Sequence, residues 1–381
     1  MTGQFFNKQL NPKGVTLCFS GDLVLDLPDG DHWLSGIAPI LREADLTIGH
    51  VEVPHTTSKE VMKGDVPAPG APVENLKAIA DAGFDCVTLA GNHIADCGAQ
   101  GIADTVEGLN REGVATCGAH ADLNKARAPA ILKHGALSVA VLSYNCVGPA
   151  AAWASEEKAG CAYLPVLTDN DAPVAPVSTI IGPDEQVLDI LKQDIEKSRT
   201  NGADVVVVAL HKGRVHTPAL IEDYERRLTY LCVDAGADLV VGHHAHILRG
   251  MEFYKDVPIF HGLGNGCVVT EALSPGQDDE TRAEWVERRK QLFGFEPDPA
   301  YTYAPFHPEA VNAMLAVVTV NDEQKLEAGF LPVFIEAPGR PVVAVGERRQ
   351  QVIDYVADIT VKAGLPALTL TDDGAVVGVK P

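Results

Sequence analysis

The sequence predicts an α/β protein built in layers. Short apolar, β-branched runs alternate along the whole chain with segments of helical length and pattern, which is how strands separated by covering helices read. The run Val205-Val206-Val207-Val208 is apolar at every position, as in a strand buried on both faces. Glycines close the helical segments at Gly83, Gly113, Gly202 and Gly236, where a helix C-terminus favours them.

Taken in order, 15–20 is β-rich and stops at Gly21. Residues 37–43 read as a helix and 45–49 as a short strand. A helix with a capping-type start spans 72–83, followed by a strand at 84–89, a helix at 99–112 and a strand at 138–144. The second half repeats this grammar: helix 184–201, strand 204–210, helix 219–235, strands 238–241 and 258–262, and a late strand pair at 313–320 and 326–335. Two stretches break the rhythm. Residues 165–183, rich in Pro, Asp and Val, read as an exposed crossover. Residues 270–311 form a long insertion after the Gly-rich turn at 262–266, charged and then aromatic (Trp285, Phe293, Phe295, Tyr301, Tyr303, Phe306). Such an insertion serves as a lid or pocket wall, or is a peripheral excursion with its own apolar cluster. The organisation that results is one main domain over 1–335 and a helix-and-strand tail over 336–381 packed on it.

Composition narrows the function. The chain has 381 residues, 46% of them apolar, enough to bury a sizeable core. Its formal net charge is -22 and its pI about 4.9. That field repels nucleic acid and anionic membrane surfaces. It also disfavours a polyanionic substrate unless bound metal reverses the sign locally. The opening residues 1–8 show no positive segment followed by a long apolar one, and no apolar run reaches the roughly 18 residues of a membrane span. The expectation is a cytoplasmic protein acting on a small molecule, with oligomeric state left open. The eight cysteines are scattered with no CxxC pair, so reduced, mostly buried thiols are expected.

Metal-capable residues fall just after the predicted strands, where α/β folds place ligand sites. Asp22 follows the first strand, and His50 and Glu52 the second. Asn92, His93 and Asp96 follow the third. His211 follows the Val-rich strand, and His243, His244 and His246 follow 238–241. Imidazole and carboxylate without thiolate suit Mn, Fe, Zn or Co. Two such ions about 3.5–4 Å apart need a bridging carboxylate and a bridging water, and one Asp, one Glu, one Asn and three His can fill such a site.

This set resembles the bacterial capsule-synthesis, or poly-γ-glutamate biosynthesis, proteins (CapA type) of the calcineurin-like metallophosphatase superfamily. The resemblance covers about residues 15–335. It rests on Gly21-Asp22; His50-Val51-Glu52-Val53-Pro54, where the family has an Asn-x-Glu-x-Pro-like run; and Gly91-Asn92-His93 with Asp96 and Gly98. It continues in Gly118-Ala119 before Ala126-Arg127, His211-x-Gly213, Gly236-Ala237-Asp238, Gly242-His243-His244-Ala245-His246 and Gly262-Leu263-Gly264-Asn265. It implies a metallophosphatase-like four-layer αββα sandwich with mixed sheets, carrying the catalytic site in 1–335 with two divalent ions (Mn, Zn or Fe). Asp22 and His246 would hold the first ion and Asn92, His211 and His244 the second, with Glu52 bridging. His93 would stabilise charge or protonate the leaving group. Asp96 either orients His93 or caps a helix.

The sequence departs from the pattern at two points. The superfamily's His two residues after the first Asp is Val24 here, so His50, Asp26 or water would complete the first ion. The family's His-Trp-Gly-x-Glu run is His211-Lys212-Gly213-Arg214-Val215. Arg214, His216 and His50 are expected on the substrate side. His261 and His307 are weaker candidates for substrate contact. His243 is expected behind the ligands, and Cys267 has no base placed for it as a nucleophile. The expected activity is metal-dependent hydrolysis of a small-molecule ester or amide, phosphoric ester slightly preferred. A γ-glutamyl-like amide is the rival substrate. A non-catalytic accessory role in polymer synthesis is the alternative of another class.

Overall fold

Alternation along the buried strands sorts the chain into layers. In Val205–His211, Val205, Val207 and Ala209 face one apolar cluster, and Val206, Val208 and Leu210 another. Val15–Leu25 behaves likewise. Leu17 and Phe19 join the cluster of Val205 and Val207, while Cys18, Leu23 and Leu25 turn to the other side. Successive side chains on a strand point to opposite faces, so one apolar layer lies between two sheets. Helices cover the outer faces. Asn75–Ala82 and Gly98–Arg111 contribute Leu76, Ile79, Ile102 and Leu109 on one side. Val187–Thr200 and Asp223–Asp234 contribute Leu191, Ile195, Leu228 and Cys232 on the other. This is the expected four-layer αββα sandwich. The computed structural model describes residues 14–62, 69–272, 287, 290–291, 294–372 and 374–381.

Both sheets are mixed. The larger, ten-stranded among the described residues, runs Thr369–Asp372, Val377–Lys380, Leu326–Glu336, Asn312–Val320, Val15–Leu25, Leu46–Val51, Cys86–Thr88, Ala115–Cys117. Asn265–Val269 and Arg340–Val343 pair at its flank. The six-stranded sheet runs Met251–Tyr254, Val257–Phe260, Leu239–His243, Val205–His211, Leu137–Asn145, Ala130–His134. Helix Gly346–Lys362 adds Val352, Val356 and Ile359 to the central cluster.

Several local expectations change. The first strand does not stop at Gly21. It runs on to Leu25 through a register shift between Phe19 and Asp22. Gly21 is needed there because a Cβ would lie 2.0 Å from the Gly264 carbonyl oxygen, and that close approach brings Asp22 N within 3.0 Å of the same oxygen. The Gly-rich 262–266 segment is correspondingly not only a turn. From Asn265 it is a strand parallel to the first. The helix expected at 72–83 begins at Asn75 without a side-chain cap. Asn75 instead donates to the Leu25 and Leu27 carbonyls. The 37–43 helix is one turn, Ala38–Leu41. The 165–183 crossover contains an antiparallel pair, Val166–Thr168 with Ile180–Pro183. Among the described residues no helix is long and apolar enough to cross a membrane.

Candidate metal centre

Strand register builds the floor of the site. Asp22, His50 and Thr88 are Cα partners across three adjacent strands of the larger sheet. Asn145, His211 and His243 are partners across three strands of the smaller one. Partners in register point to one face, so the two rows meet at the strand ends. His243 Nδ1 donates to Asp22 Oδ1 at 2.9 Å, and the His50 and His211 ring centroids lie 4.8 Å apart.

Turns then add the remaining groups. Glu52 follows Leu46–Val51, and Asn92 and His93 follow Cys86–Thr88. His244 and His246 follow Leu239–His243, with φ of 85° and 52°. Left-handed backbone costs a non-glycine residue roughly 1–2 kcal/mol, and hydrogen bonds hold it here. His244 N donates to Asp22 Oδ2 at 3.1 Å, and His216 N to the Ala245 carbonyl at 2.9 Å.

Two ligand sets share one residue. Ligand atoms of Asp22, Glu52 and His246 lie within 4.8 Å of one another, and so do those of Glu52, His211 and His244; a third set, Asp22, His50 and His211, overlaps both and keeps His50 a candidate ligand. Asn92 Oδ1 joins the second set, 2.8 Å from His211 Nε2. Glu52 Oε1 is 3.7 Å from His211 Nε2 and Oε2 is 3.5 Å from His246 Nε2. Both Glu52 oxygens are buried and make no hydrogen bond, and His244 Nδ1 and His211 Nδ1 are in the same state. Buried polar atoms are rarely left so without a bound group. His246 Nδ1 is 2.9 Å from Asn265 Oδ1, the outward hydrogen bond that commonly fixes a metal-binding imidazole.

Electrostatics fit the same purpose. Burial holds His243 and His244 at about 3 and His50 at about 4, and drives His211 well below the ordinary value. These rings are neutral, with lone pairs to offer. Asp22 is pushed up to about 7, first by burial and then by the charge of Glu52. Burial is the largest influence on Glu52 and raises it too, but the close approach and charge of His246, with the charges of His93 and His50, together outweigh it and the net shift is down. Burial opposes charge on His246, yet Glu52 and Asp22 raise it to about 9. Two buried carboxylates facing several neutral imidazoles attract a divalent cation.

His93 lies at the open side, 17% exposed, with Nδ1 2.7 Å from Asp96 Oδ2; Asp96 is 2% exposed. Asp96 thus meets His93, and the Gly98–Arg111 helix has Cys97 at its cap position without a side-chain bond. The remaining candidates separate. His216 is buried beside the centre, 5.7 Å from the His246 ring and 5.2 Å from Phe306. Arg214 is 58% exposed and its guanidinium pairs with Glu222 at 2.9 Å, turned to the surface. His50, expected on the substrate side, is buried on the floor among the ligands. His261 is buried against Glu252 at 2.7 Å. His307 caps the turn Pro308–Val311, its Nδ1 accepting from Glu309 N. Cys267 is packed in the sheet with its thiol pushed up by burial, unfit as a nucleophile.

Sequence reasoning gave no role to Asn265, Thr88 or Phe306. Asn265 was in view in the Gly-Leu-Gly-Asn run. Phe306 stacks on His246 at 5.0 Å and packs with Val24, Val53 and Val268, so the described end of the 270–311 insertion walls the centre. Trp285 and Phe293 lie outside the described residues. A small, solvent-open pocket adjoins this wall and is lined by Asn265, Tyr301, Phe306 and His307 among others.

The chain is similar to several known proteins. The chain is 29% identical over 245 residues to a capsule biosynthesis protein CapA of Bacillus anthracis, covering 62% of this chain and 53% of that one. It is 27% identical over 231 residues to the PGA biosynthesis protein CapA of Bacillus subtilis, covering 60% and 54%. The chain thus spans about half the length of these curated relatives. Its fold is similar to a calcineurin-like phosphoesterase, YfkN from Bacillus subtilis, over 92% of this chain and 98% of that one. At 12% identity and a TM-score of 0.41 that likeness is too loose to carry a conclusion about activity. The family described as bacterial capsule synthesis protein PGA_cap matches residues 7–268, most of the chain including every candidate ligand, and the chain belongs to that family.

Proposed function

We propose that this protein is a metal-dependent hydrolase of small-molecule esters or amides, with phosphoric esters the preferred class. The observation that carries this reading is Glu52, whose two buried oxygens face two separate ligand sets without a hydrogen bond of their own. Asp22, Glu52 and His246 would hold one divalent ion, and Glu52, Asn92, His211 and His244 a second; Mn, Zn and Fe all suit these donors. Such a pair supplies Lewis acidity and a water acidic enough to attack near neutral pH. The chain's own groups do the rest. Asp96 accepts a hydrogen bond from His93 Nδ1–H, and in the doubly protonated ring Nε2–H is the proton given to the leaving-group oxygen or nitrogen. Phe306 and His216 exclude water from the His246 side, and the 270–311 insertion acts as pocket wall.

Amide cleavage is the second reading, favoured by the similarity to the PGA biosynthesis protein CapA of Bacillus subtilis, since the same centre can act on a carbonyl. The deciding experiment adds Mn, Zn or Fe to metal-stripped protein and assays an aryl phosphate beside a panel of small amides. Turnover that depends on added metal and disappears in Glu52→Ala supports the hydrolase, and the responding panel names the bond. Metal binding without turnover on either panel would move the protein to an accessory role in polymer synthesis.

A further inference from the structure

We propose that the small pocket beside Phe306 is a subsite for the substrate's substituent, taking a short uncharged alkyl group and turning away an anionic one. This rests on the hydrolase reading above and names the class of substrate that the centre would serve.

The pocket is continuous with the metal centre. Asn265 Oδ1 is 2.9 Å from His246 Nδ1, and the Phe306 ring stacks on His246 at 5.0 Å. The same two residues line the pocket, so it begins one side chain beyond a candidate ligand. A substrate whose reacting group sits at the centre has its next few atoms within reach of this pocket. Its size limits what enters. The pocket measures about 40 Å³. One water needs about 10–15 Å³, which leaves room for a group of about three heavy atoms. Ala304 and Ala310 keep that room. Both line the pocket and both are buried, so a longer side chain at either would compete for the space.

The walls decide the chemistry. Tyr301 commits its hydroxyl to the Ile335 carbonyl at 2.9 Å and has ring carbon left to offer. His307 Nδ1 accepts from Glu309 N at 3.1 Å, so its Nε2 carries the ring proton. Burial lowers the pKa of that ring, which keeps it neutral near pH 7. Among the described residues that line the pocket none is Lys or Arg, and the charged one is Asp298. Its Oδ1 accepts from Ala300 N at 2.9 Å, which holds the carboxylate in place. An alkyl group gains by leaving water against such walls. A substituent ending in a carboxylate or phosphate meets Asp298 and finds no cation to pair with. The pocket thus sorts substrates by what lies next to the reacting bond.

The test is turnover by the metal-loaded full chain over two matched series, alkyl p-nitrophenyl phosphodiesters and N-acyl p-nitroanilides. The leaving group is constant within each series. The alkyl part grows from methyl to ethyl to propyl, or ends in a carboxylate. In the series that wild type turns over, kcat/KM should rise about fourfold per added CH₂, chiefly through KM. It should drop about fivefold below methyl when the chain ends in a carboxylate, the scale of one exposed charge contact. Ala310→Leu fills the pocket and should level the series, bringing propyl down to methyl. Asp298→Asn keeps an oxygen for Ala300 N but removes the charge, and should bring the carboxylate substrate back to the methyl level while the rise towards propyl persists. Asp298 is exposed, so this variant decides the matter if Ala310→Leu fails to fold. A flat series in active wild type, a propyl preference that survives in folded Ala310→Leu, or a carboxylate penalty unchanged in Asp298→Asn would each overturn the subsite and leave the hydrolase reading standing. Turnover of a bare aryl phosphate but of neither series would do the same. A wild type inactive on every substrate under every metal would overturn the hydrolase reading, and the subsite with it.

Discussion

His93 and Asp96 lie three residues apart on one turn, and His93 Nδ1 is 2.7 Å from a carboxylate oxygen that the fold has buried. A carboxylate held this way fixes the ring's tautomer and leaves Nε2 for the substrate. Asp96→Asn should fold and bind metal normally but lower kcat on the order of 10²-fold with little change in KM. The loss should be largest for substrates with poor leaving groups, which need the proton most, and small for a nitrophenyl ester. Equal losses across a leaving-group series would show that His93 is not the acid.

Lys212, next to ligand His211, is buried with its ammonium 3.0 Å from buried Glu225. Removing one partner of such a pair leaves an uncompensated charge at a cost of roughly 3–5 kcal/mol. Lys212→Met should therefore be strongly destabilised in urea unfolding, whereas the double variant Lys212→Met/Glu225→Gln should regain most of the loss. Equal stability of Lys212→Met and wild type would mean the pair is not closed in solution.

Acid should unfold this protein earlier than carboxylate protonation alone would. His55 and His261, both outside the ligand sets, are held at about 4, chiefly by burial, against the opposing pull of the Pro72 carbonyl and of Glu252 respectively. Their ordinary value is 6.5. Above pH 6.5 neither state binds the proton. Between 6.5 and about 4 the unfolded chain takes a proton that the folded chain refuses, so stability falls as pH falls through that window, by at most about 3 kcal/mol per ring. Urea midpoints from pH 8 to 4 should show the decline, and His55→Gln should make it shallower. A flat profile would contradict the burial of these rings.

Gly91 can be tested as a spacer. An alanine methyl would sit 3.3 Å from His50 Nε2 and 3.4 Å from His211 Cε1, tighter than ordinary contact, so the rings must part. Gly91→Ala should fold with near-normal stability and bind metal about tenfold or more weakly, in line with disturbing a ligand's support. Wild-type affinity in this variant would show that the rings have slack.

Much of this was legible because the information is local. Alternation and the Val205–Val208 run report burial directly, and Asp22, Glu52, Asn92, His211, His244 and His246 announce themselves as metal-capable groups at strand ends. Other features depend on pairing between distant segments. Asn265–Val269 looked like the tail of a turn because Gly262 and Gly264 before it and Gly266 within it have low strand propensity. Gly264 and Gly266 are there to let the backbone at Gly21 approach. His50 looked like a rim residue by its nearness to Glu52. Its register with Asp22 and Thr88 turns it inward, a two-residue alternation that sequence shows only once the strand's full length is known. Arg214 looked like an anion clamp by its nearness to His211, but Glu222, eight residues on, takes its charge.

The most direct test of the central claim is the metal content of the purified chain, measured by elemental analysis on wild type and on Glu52→Ala after dialysis against Mn, Zn or Fe. The shared-carboxylate reading predicts about two ions per chain in wild type and loss of both affinities, not one, in the variant. Two ions retained by Glu52→Ala, or none bound by wild type under any of the three metals, would contradict it.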